Sequence, residues 1–282
     1  MRRQRIDDVT AIRDAVEIPT LGALPINAFV LHSEQPVLVD TGRPVAKGEF
    51  LDELGGAIDL QDIRWVWLTH PDRDHMGSLF DVLAEAPKAR LVTTFFAAGY
   101  LTVEYNVPFD RLHLLNPGQA LDVGDRKLHA FRPPLFDSPM TVGFYDDKTG
   151  TCFSSDCFGA PLPDLDAALV DDINGIPHDD LRVAQLTWAG ADSPWVRHTD
   201  VGKFKKTYDE LRRWAPQTVL STHLPPARGK TATLIDMLDH APEAPELAAP
   251  DQAMLEAMLS GIPAQEQTVD LTEERNSAAT RH

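Results

Sequence analysis

The chain has 282 residues, 43% of them hydrophobic, and a formal net charge of −17, which suits one large domain or two small ones. The acidic balance argues against nucleic acid and anionic membrane surfaces as partners, because both repel a negatively charged protein. No apolar run reaches membrane-spanning length, the charged start MRRQRIDDVTAI has no apolar stretch after it to make a signal peptide, and the two cysteines, Cys152 and Cys157, are expected to be reduced, so a cytoplasmic protein is expected.

Short apolar runs rich in β-branched residues predict strands at Ala28–Leu31, Val37–Asp40, Trp65–Leu68, Arg90–Thr93 and Lys127–Phe131. Further strands are expected at Thr141–Tyr145, Thr151–Ser154 and Thr218–Ser221. Helical spacing is expected at Glu49–Leu54, Met76–Ala86 and Thr93–Glu104. It is clearest at Val201–Trp214, where Val201, Phe204, Tyr208 and Leu211 recur behind an Asp200 cap. The stretch Pro242–Pro250 reads as a linker. A short helix, Gln252–Leu259, follows an Asp251 cap and stops at Gly261, and the last twenty or so residues read as a disordered polar tail. The organisation expected is therefore a folded domain over 1–240, then linker, helix and tail over 241–282.

One stretch carries chemistry. Leu68-Thr69-His70-Pro71-Asp72-Arg73-Asp74-His75-Met76-Gly77-Ser78 follows an apolar strand and precedes an amphipathic helix. Its pattern, His-x-Asp-x-Asp-His, packs four potential ligands into six residues. A strand end and a turn can aim alternate side chains into one pocket. Imidazole nitrogens and carboxylate oxygens are donors that first-row metals prefer.

The stretch resembles the signature of the metallo-β-lactamase superfamily, His-x-His-x-Asp-His. It is closer to the branch with flavodiiron proteins and their oxygen-binding di-iron relatives, where a carboxylate, usually Glu and here Asp72, replaces the second His. The resemblance runs from about residue 18 to 240. With the strand–helix alternation, it implies an α/β fold, an αββα sandwich with two sheets face to face and helices outside. Val37-Leu38-Val39-Asp40-Thr41-Gly42 is similar to the family's early strand and turn, where Asp40 would support the site from behind the ligands. Phe153-Ser154-Ser155-Asp156-Cys157-Phe158-Gly159 resembles the segment with the bridging Asp, which would be Asp156. Ser221-Thr222-His223-Leu224-Pro225-Pro226 resembles the segment with the last His ligand, which would be His223. Outside that context, Asp156 would read as a helix cap and His223 as a loop histidine.

The family supplies one more His between these motifs. Arg132-Pro133-Pro134-Leu135-Phe136-Asp137-Ser138-Pro139-Met140 has none. Asp137 stands where relatives have His, so it either replaces that ligand or only starts a turn before Pro139; His129 lies on a predicted strand, too early for the match. The ligand set implied is His70, Asp72 and Asp137 on one metal and Asp74, His75 and His223 on the other, with Asp156 between. Three His and four carboxylates favour iron, with manganese or zinc as alternatives. Four negative ligands also offset the charge of two trivalent ions. Asp192-Ser193-Pro194-Trp195-Val196-Arg197-His198 resembles a loop that shapes the family's site. His198 is a candidate proton donor there or a surface histidine, and is counted with Asp74 as a catalytic candidate. Cys157 reads as a small buried apolar residue rather than a redox group. Trp188, Trp195, Phe95, Phe96, Tyr100 and Tyr105 read chiefly as core, with a pocket wall as the alternative. Lys203, Lys205 and Lys206 read as a solvated helix face.

Three functions follow from the resemblance. The first is a di-iron oxidoreductase that binds or reduces dioxygen or nitric oxide, or oxidises a small molecule with dioxygen. No flavodoxin-like segment is seen, so no flavin is expected on this chain, and electrons would come from a separate donor protein. The second is a two-metal hydrolase of esters, thioesters or lactones. The third is a fold member without catalysis that serves as a binding module. A homodimer is compatible with each.

Overall fold

The computed structural model describes residues 1–244, 246–247 and 249–260. Two sheets carry the fold. The first runs β1 (Arg2–Ile6), β2 (Val9–Ile18), β3 (Gly22–Leu31), β4 (Val37–Val39), β5 (Trp65–Trp67), β6 (Arg90–Thr93) and β7 (Leu112–Leu114), in that spatial order. The second runs β8 (Ala120–Asp122), β9 (Lys127–Phe131), β10 (Gly143–Asp146), β11 (Thr151–Phe153), β12 (Thr218–Leu220) and β13 (Ala227–Arg228). The helices are α1 (Lys47–Gly55), α2 (Arg73–Met76), α3 (Leu79–Glu85), α4 (Phe95–Glu104), α5 (Leu165–Ala168), α6 (His178–Asp192), α7 (Val201–Lys206), α8 (Asp209–Trp214), α9 (Thr231–Leu238) and α10 (Gln252–Ser260).

Strand alternation shows how the layers stack. Phe29, Val39 and Trp67 of the first sheet bury together with Phe144, Phe153 and Leu220 of the second. Phe29 meets Phe153 edge-on at 5.5 Å, and Trp67 lies 4.4 Å from Phe144. Their strand neighbours Val30, Leu38 and Val66 turn the other way, onto Phe50, Leu54, Leu79, Val82 and Leu101 of α1, α3 and α4. On the second sheet, Phe131, Cys152 and Val219 turn onto Leu181, Phe204, Leu211, Leu234 and Ile235 of α6 to α9. The result is the four-layer αββα arrangement the sequence pointed to.

Two segments differ from expectation. The helix expected at Met76–Ala86 is two, α2 and α3, broken at Gly77 and Ser78. There Gly77 N–H donates to Gly42 O at 2.8 Å and Ser78 N–H to Thr41 O at 3.2 Å. The expected Val201–Trp214 helix is also two, α7 and α8, with the Asp200 cap in place and Tyr208 fully buried at the break. The compact unit runs from Met1 to Glu246. In the unit that begins at Leu247, α10 is capped by Asp251, which accepts from Met254 N–H at 2.9 Å. The expected stop at Gly261 and the polar tail lie outside the described residues. No helix among the described residues is long and apolar enough to cross a membrane.

Strand direction positions the site. β4, β5 and β6 are parallel in the first sheet, as are β11 and β12 in the second. In parallel sheets ligands collect beyond the carboxyl ends of strands. Here Asp40 follows β4, Thr69 and His70 follow β5, Ser155 and Asp156 follow β11, and His223 follows β12. The two sheets are tied at this edge: Val142 N–H donates to Thr69 O at 2.8 Å, and Asn27 N–H to Thr222 O at 2.9 Å.

Candidate metal centre

The loop after β5 presents four of the candidate ligands. His70 leaves the strand end, Asp72 is extended at the N-cap position of α2 without a side-chain capping bond, and Asp74 and His75 lie in its single turn. The turn docks through Thr41 N–H onto His75 O at 2.6 Å. Gly77 permits the approach: a Cβ there would lie 2.4 Å from the backbone of Gly42, Arg43 and Pro44.

Seven side chains converge. Three overlapping groups each bring one donor atom per residue within 4.8 Å of one another: His70, His75 and Asp156; Asp74, His75 and His223; His70, Asp72 and Asp137. Asp156 stands between them. Its Oδ2 is 3.2 Å from His70 Nε2, while its Oδ1 is 3.0 Å from His75 Nε2 and 3.2 Å from His223 Nε2. Asp72 and Asp137 approach His70 Nε2 at 3.8 and 3.9 Å, and Asp74 approaches His223 Nε2 at 3.5 Å. Asp137 also accepts from Thr141 Oγ1 at 3.2 Å, so both readings of it, ligand and turn, have a contact.

The donors fit a cation. His75 Nε2 and Asp156 Oδ1 are buried, 3.0 Å apart, and neither has a hydrogen-bond partner. Buried polar atoms are almost always paired, so two orphans facing each other mark a position where a positive ion satisfies both. The imidazoles are held ready from behind. His75 Nδ1 meets Asp40 Oδ2 at 2.8 Å and His223 Nδ1 meets Pro25 O at 2.8 Å. A carboxylate and a carbonyl only accept, so each Nδ1 carries a proton, and a neutral imidazole held this way turns its Nε2 lone pair toward the cluster.

Charge follows the same pattern. Burial works to raise Asp156, but the rings of His70, His75 and His223 outweigh it and hold the carboxyl well below its ordinary range. Burial likewise opposes the charge of His75, but Asp156, Asp40 and Asp74 hold that imidazole well above its ordinary value. Burial raises Asp72, the solvent-facing carboxylate.

Several neighbours border the cluster. Trp188 packs edge-on to His223 at 4.8 Å and donates from Nε1 to Asp156 O at 3.2 Å. Asp192, within the loop flagged by resemblance, is pushed up to about 7, first by burial and then by the charge of Asp156. A cavity of about 320 Å³ lined by Asp72, Arg73, Asp74, Tyr100 and Tyr105 opens beside the ligands. Phe95, Phe96 and Tyr100, read chiefly as core, are instead 62, 67 and 51% exposed on α4, because only Ala97, Ala98 and Leu101 of that helix face the sheet. His198 does not join the cluster. It is exposed at the end of a short turn, its charge is felt by Glu246, and it shares no hydrogen bond or ion pair with any of the seven ligand candidates. His129 lies on β9 beside Asp147 at 3.3 Å. Cys152 and Cys157 are free and buried, and burial pushes the Cys157 thiol up to about 12.

A family model described as ODP family beta lactamase matches residues 25–180. An anaerobic nitric oxide reductase flavorubredoxin of Pectobacterium atrosepticum is 28% identical over 151 residues, covering 52% of this chain and 30% of that protein, so the match spans about a third of the relative. Among solved structures, rubredoxin:oxygen oxidoreductase from Desulfovibrio gigas superposes with a TM-score of 0.72 at 18% identity, over 86% of this chain and 61% of that one. A flavodiiron protein from Giardia intestinalis gives 0.71 at 19% identity, over 86 and 60%.

Proposed function

Because this chain belongs to the ODP family of beta-lactamase-fold proteins, we propose that it is a di-iron protein that binds or reduces dioxygen or nitric oxide. The observation that carries this reading is Asp156, whose two oxygens are divided between His70 on one side and the His75–His223 pair on the other. His70, Asp72 and Asp137 would hold one ion and Asp74, His75 and His223 the second, with Asp156 shared. Four carboxylates among seven donors make a hard, anionic set, which suits iron and lowers its reduction potential. Bound iron would supply one-electron chemistry toward a diatomic gas.

The chain's own part is orientation and access. Asp40 and Pro25 O keep two Nε2 lone pairs aimed inward. The His side of the cluster is buried, which keeps water away, while Asp72 and Asp137 face the outside and leave the approach for a small ligand. The names of the similar proteins, a nitric oxide reductase and an oxygen oxidoreductase, support the choice of gas. Electrons would come from a separate donor protein.

The test uses iron-loaded protein reduced without air and then exposed to dioxygen or nitric oxide. A rapid change in its charge-transfer absorption is expected. No change, together with ester or lactone cleavage by the zinc form that His75→Ala abolishes, would overturn the reading in favour of a hydrolase.

A further inference from the structure

A line of hydrogen bonds runs behind the ligands from one metal group to the other. His70 Nδ1 lies 3.2 Å from Ser155 Oγ, Ser155 Oγ lies 3.0 Å from Thr69 Oγ1, Thr69 Oγ1 lies 2.8 Å from Asp40 Oδ2, and that oxygen is 2.8 Å from His75 Nδ1. All five residues are buried. The carboxylate is the one member with no hydrogen to give, so it sets the direction of the line. The Thr69 hydroxyl takes the nearest and strongest acceptor, Asp40 Oδ2. Its lone pairs then receive the Ser155 hydroxyl hydrogen. Ser155 Oγ is left as an acceptor, and His70 Nδ1 must be the donor to it. Two longer contacts, Thr69 Oγ1 to His75 Nδ1 at 3.2 Å and to His70 Nδ1 at 3.4 Å, are compatible with this direction. Thr69 N–H donates to Asp40 Oδ1 at 2.8 Å and fixes the carboxylate itself.

The backbone shows that these side chains are held on purpose. Asp40 and Ser155 both sit in the left-handed region, at φ 56 and 53. Glycine adopts that conformation without the Cβ clash, so a residue with a side chain there is placed at a conformational cost. Ser155 O accepts from Thr222 N–H and from Ser221 Oγ, both at 2.9 Å, which locks the strained residue. The two strained residues are the carboxylate that sets the direction of the line and the hydroxyl that meets His70.

We propose that Ser155 and Thr69 are positioning residues that carry the orienting effect of Asp40 across the site to His70, so that one buried carboxylate fixes the tautomer of a ligand in each metal group. This rests on the two-metal reading above. Without the Ser155 hydroxyl the His70 ring keeps only the longer 3.4 Å contact of Nδ1 to Thr69 Oγ1 and is freer to turn its lone pair away, whereas His75 keeps its 2.8 Å bond to Asp40. The consequence is selective: the ion that depends on His70 weakens and the other does not.

Metal-free protein titrated with cobalt(II), read by its visible absorption, separates the two ions. Wild type is expected to bind two. Ser155→Ala and Ser155→Gly should each weaken one of them by about 10–100-fold and leave the second within about threefold. Ser155→Ala keeps the strained backbone and Ser155→Gly relieves it, so a purely conformational role for Ser155 predicts that alanine binds both ions as serine does; that result would overturn the proposal. Thr69→Val should weaken the same ion, and Thr69→Ser, which keeps the hydroxyl, should recover it. Two ions bound with unchanged constants in Ser155→Gly would overturn the line of hydrogen bonds alone. Fewer than two in wild type would overturn it together with the two-metal reading.

Discussion

Gly159 has no room for a side chain: a Cβ there would come 2.5 Å from the Trp188 indole and 3.0 Å from Asp156 O. The indole pressed into that place touches His223 and holds the carbonyl of Asp156, so one contact steadies two candidate ligands. Gly159→Ala should therefore displace the indole and destabilise the protein by about 1–3 kcal/mol, the usual cost of overpacking. In a Trp188→Ala background the same change should cost less, because only the 3.0 Å approach to Asp156 O remains. Equal costs in both backgrounds, measured by thermal or denaturant unfolding, would show that Gly159 acts through something else. The candidate ligands were legible where they are close in sequence: four fall within His70 to His75. Asp156 and His223 were found only through resemblance, since a lone Asp or His after a strand carries no pattern. Trp188 was noted as core or pocket wall but not against His223, and Ser155 and the Pro25 carbonyl leave no mark in the spacing. His198 came from resemblance of its loop, but it is exposed and shares no hydrogen bond or ion pair with the seven candidates.

The elements that hold the site are shorter and more broken than periodicity suggests. The apolar spacing through Met76–Ala86 is real, but backbone bonds from Gly77 and Ser78 to the Thr41–Gly42 turn divide the helix and fix the ligand loop against Asp40. Gly77→Ala should push that loop off the turn. Because the clash is with backbone at 2.4 Å and nothing flexible can yield, a loss of at least about 2 kcal/mol is expected, with metal content falling as well. A variant that keeps wild-type stability and metal content would show that the close approach is dispensable. The hairpin β1–β2 escaped sequence reading because Arg2, Arg3 and Arg5 give an edge strand a polar face, as edges need, and because the turn at Asp7 has a left-handed φ of 51 without a glycine to announce it. The 15-residue helix α6 was missed because its buried face, Leu181, Ala184, Gln185, Ala189 and Gly190, is made of small and polar residues as much as large apolar ones.

At the scale of the whole molecule, eight strands were readable from apolar runs and the alternation with helices from their spacing, while the αββα sandwich itself came from the family resemblance together with that alternation. The site follows from that architecture. Parallel strands in both sheets end at one edge, so four separate segments bring the candidate ligands and their hydrogen-bond partners to one point. Net charge, at −17, reinforces the same chemistry by favouring cations throughout the molecule. The most direct measurement is anomalous diffraction at the iron edge from crystals of protein purified without added metal. Two peaks roughly 3.5–4 Å apart are expected on either side of Asp156, one beside His70, Asp72 and Asp137, the other beside Asp74, His75 and His223. A single peak, or none within reach of Asp156, would contradict a di-iron centre in this chain.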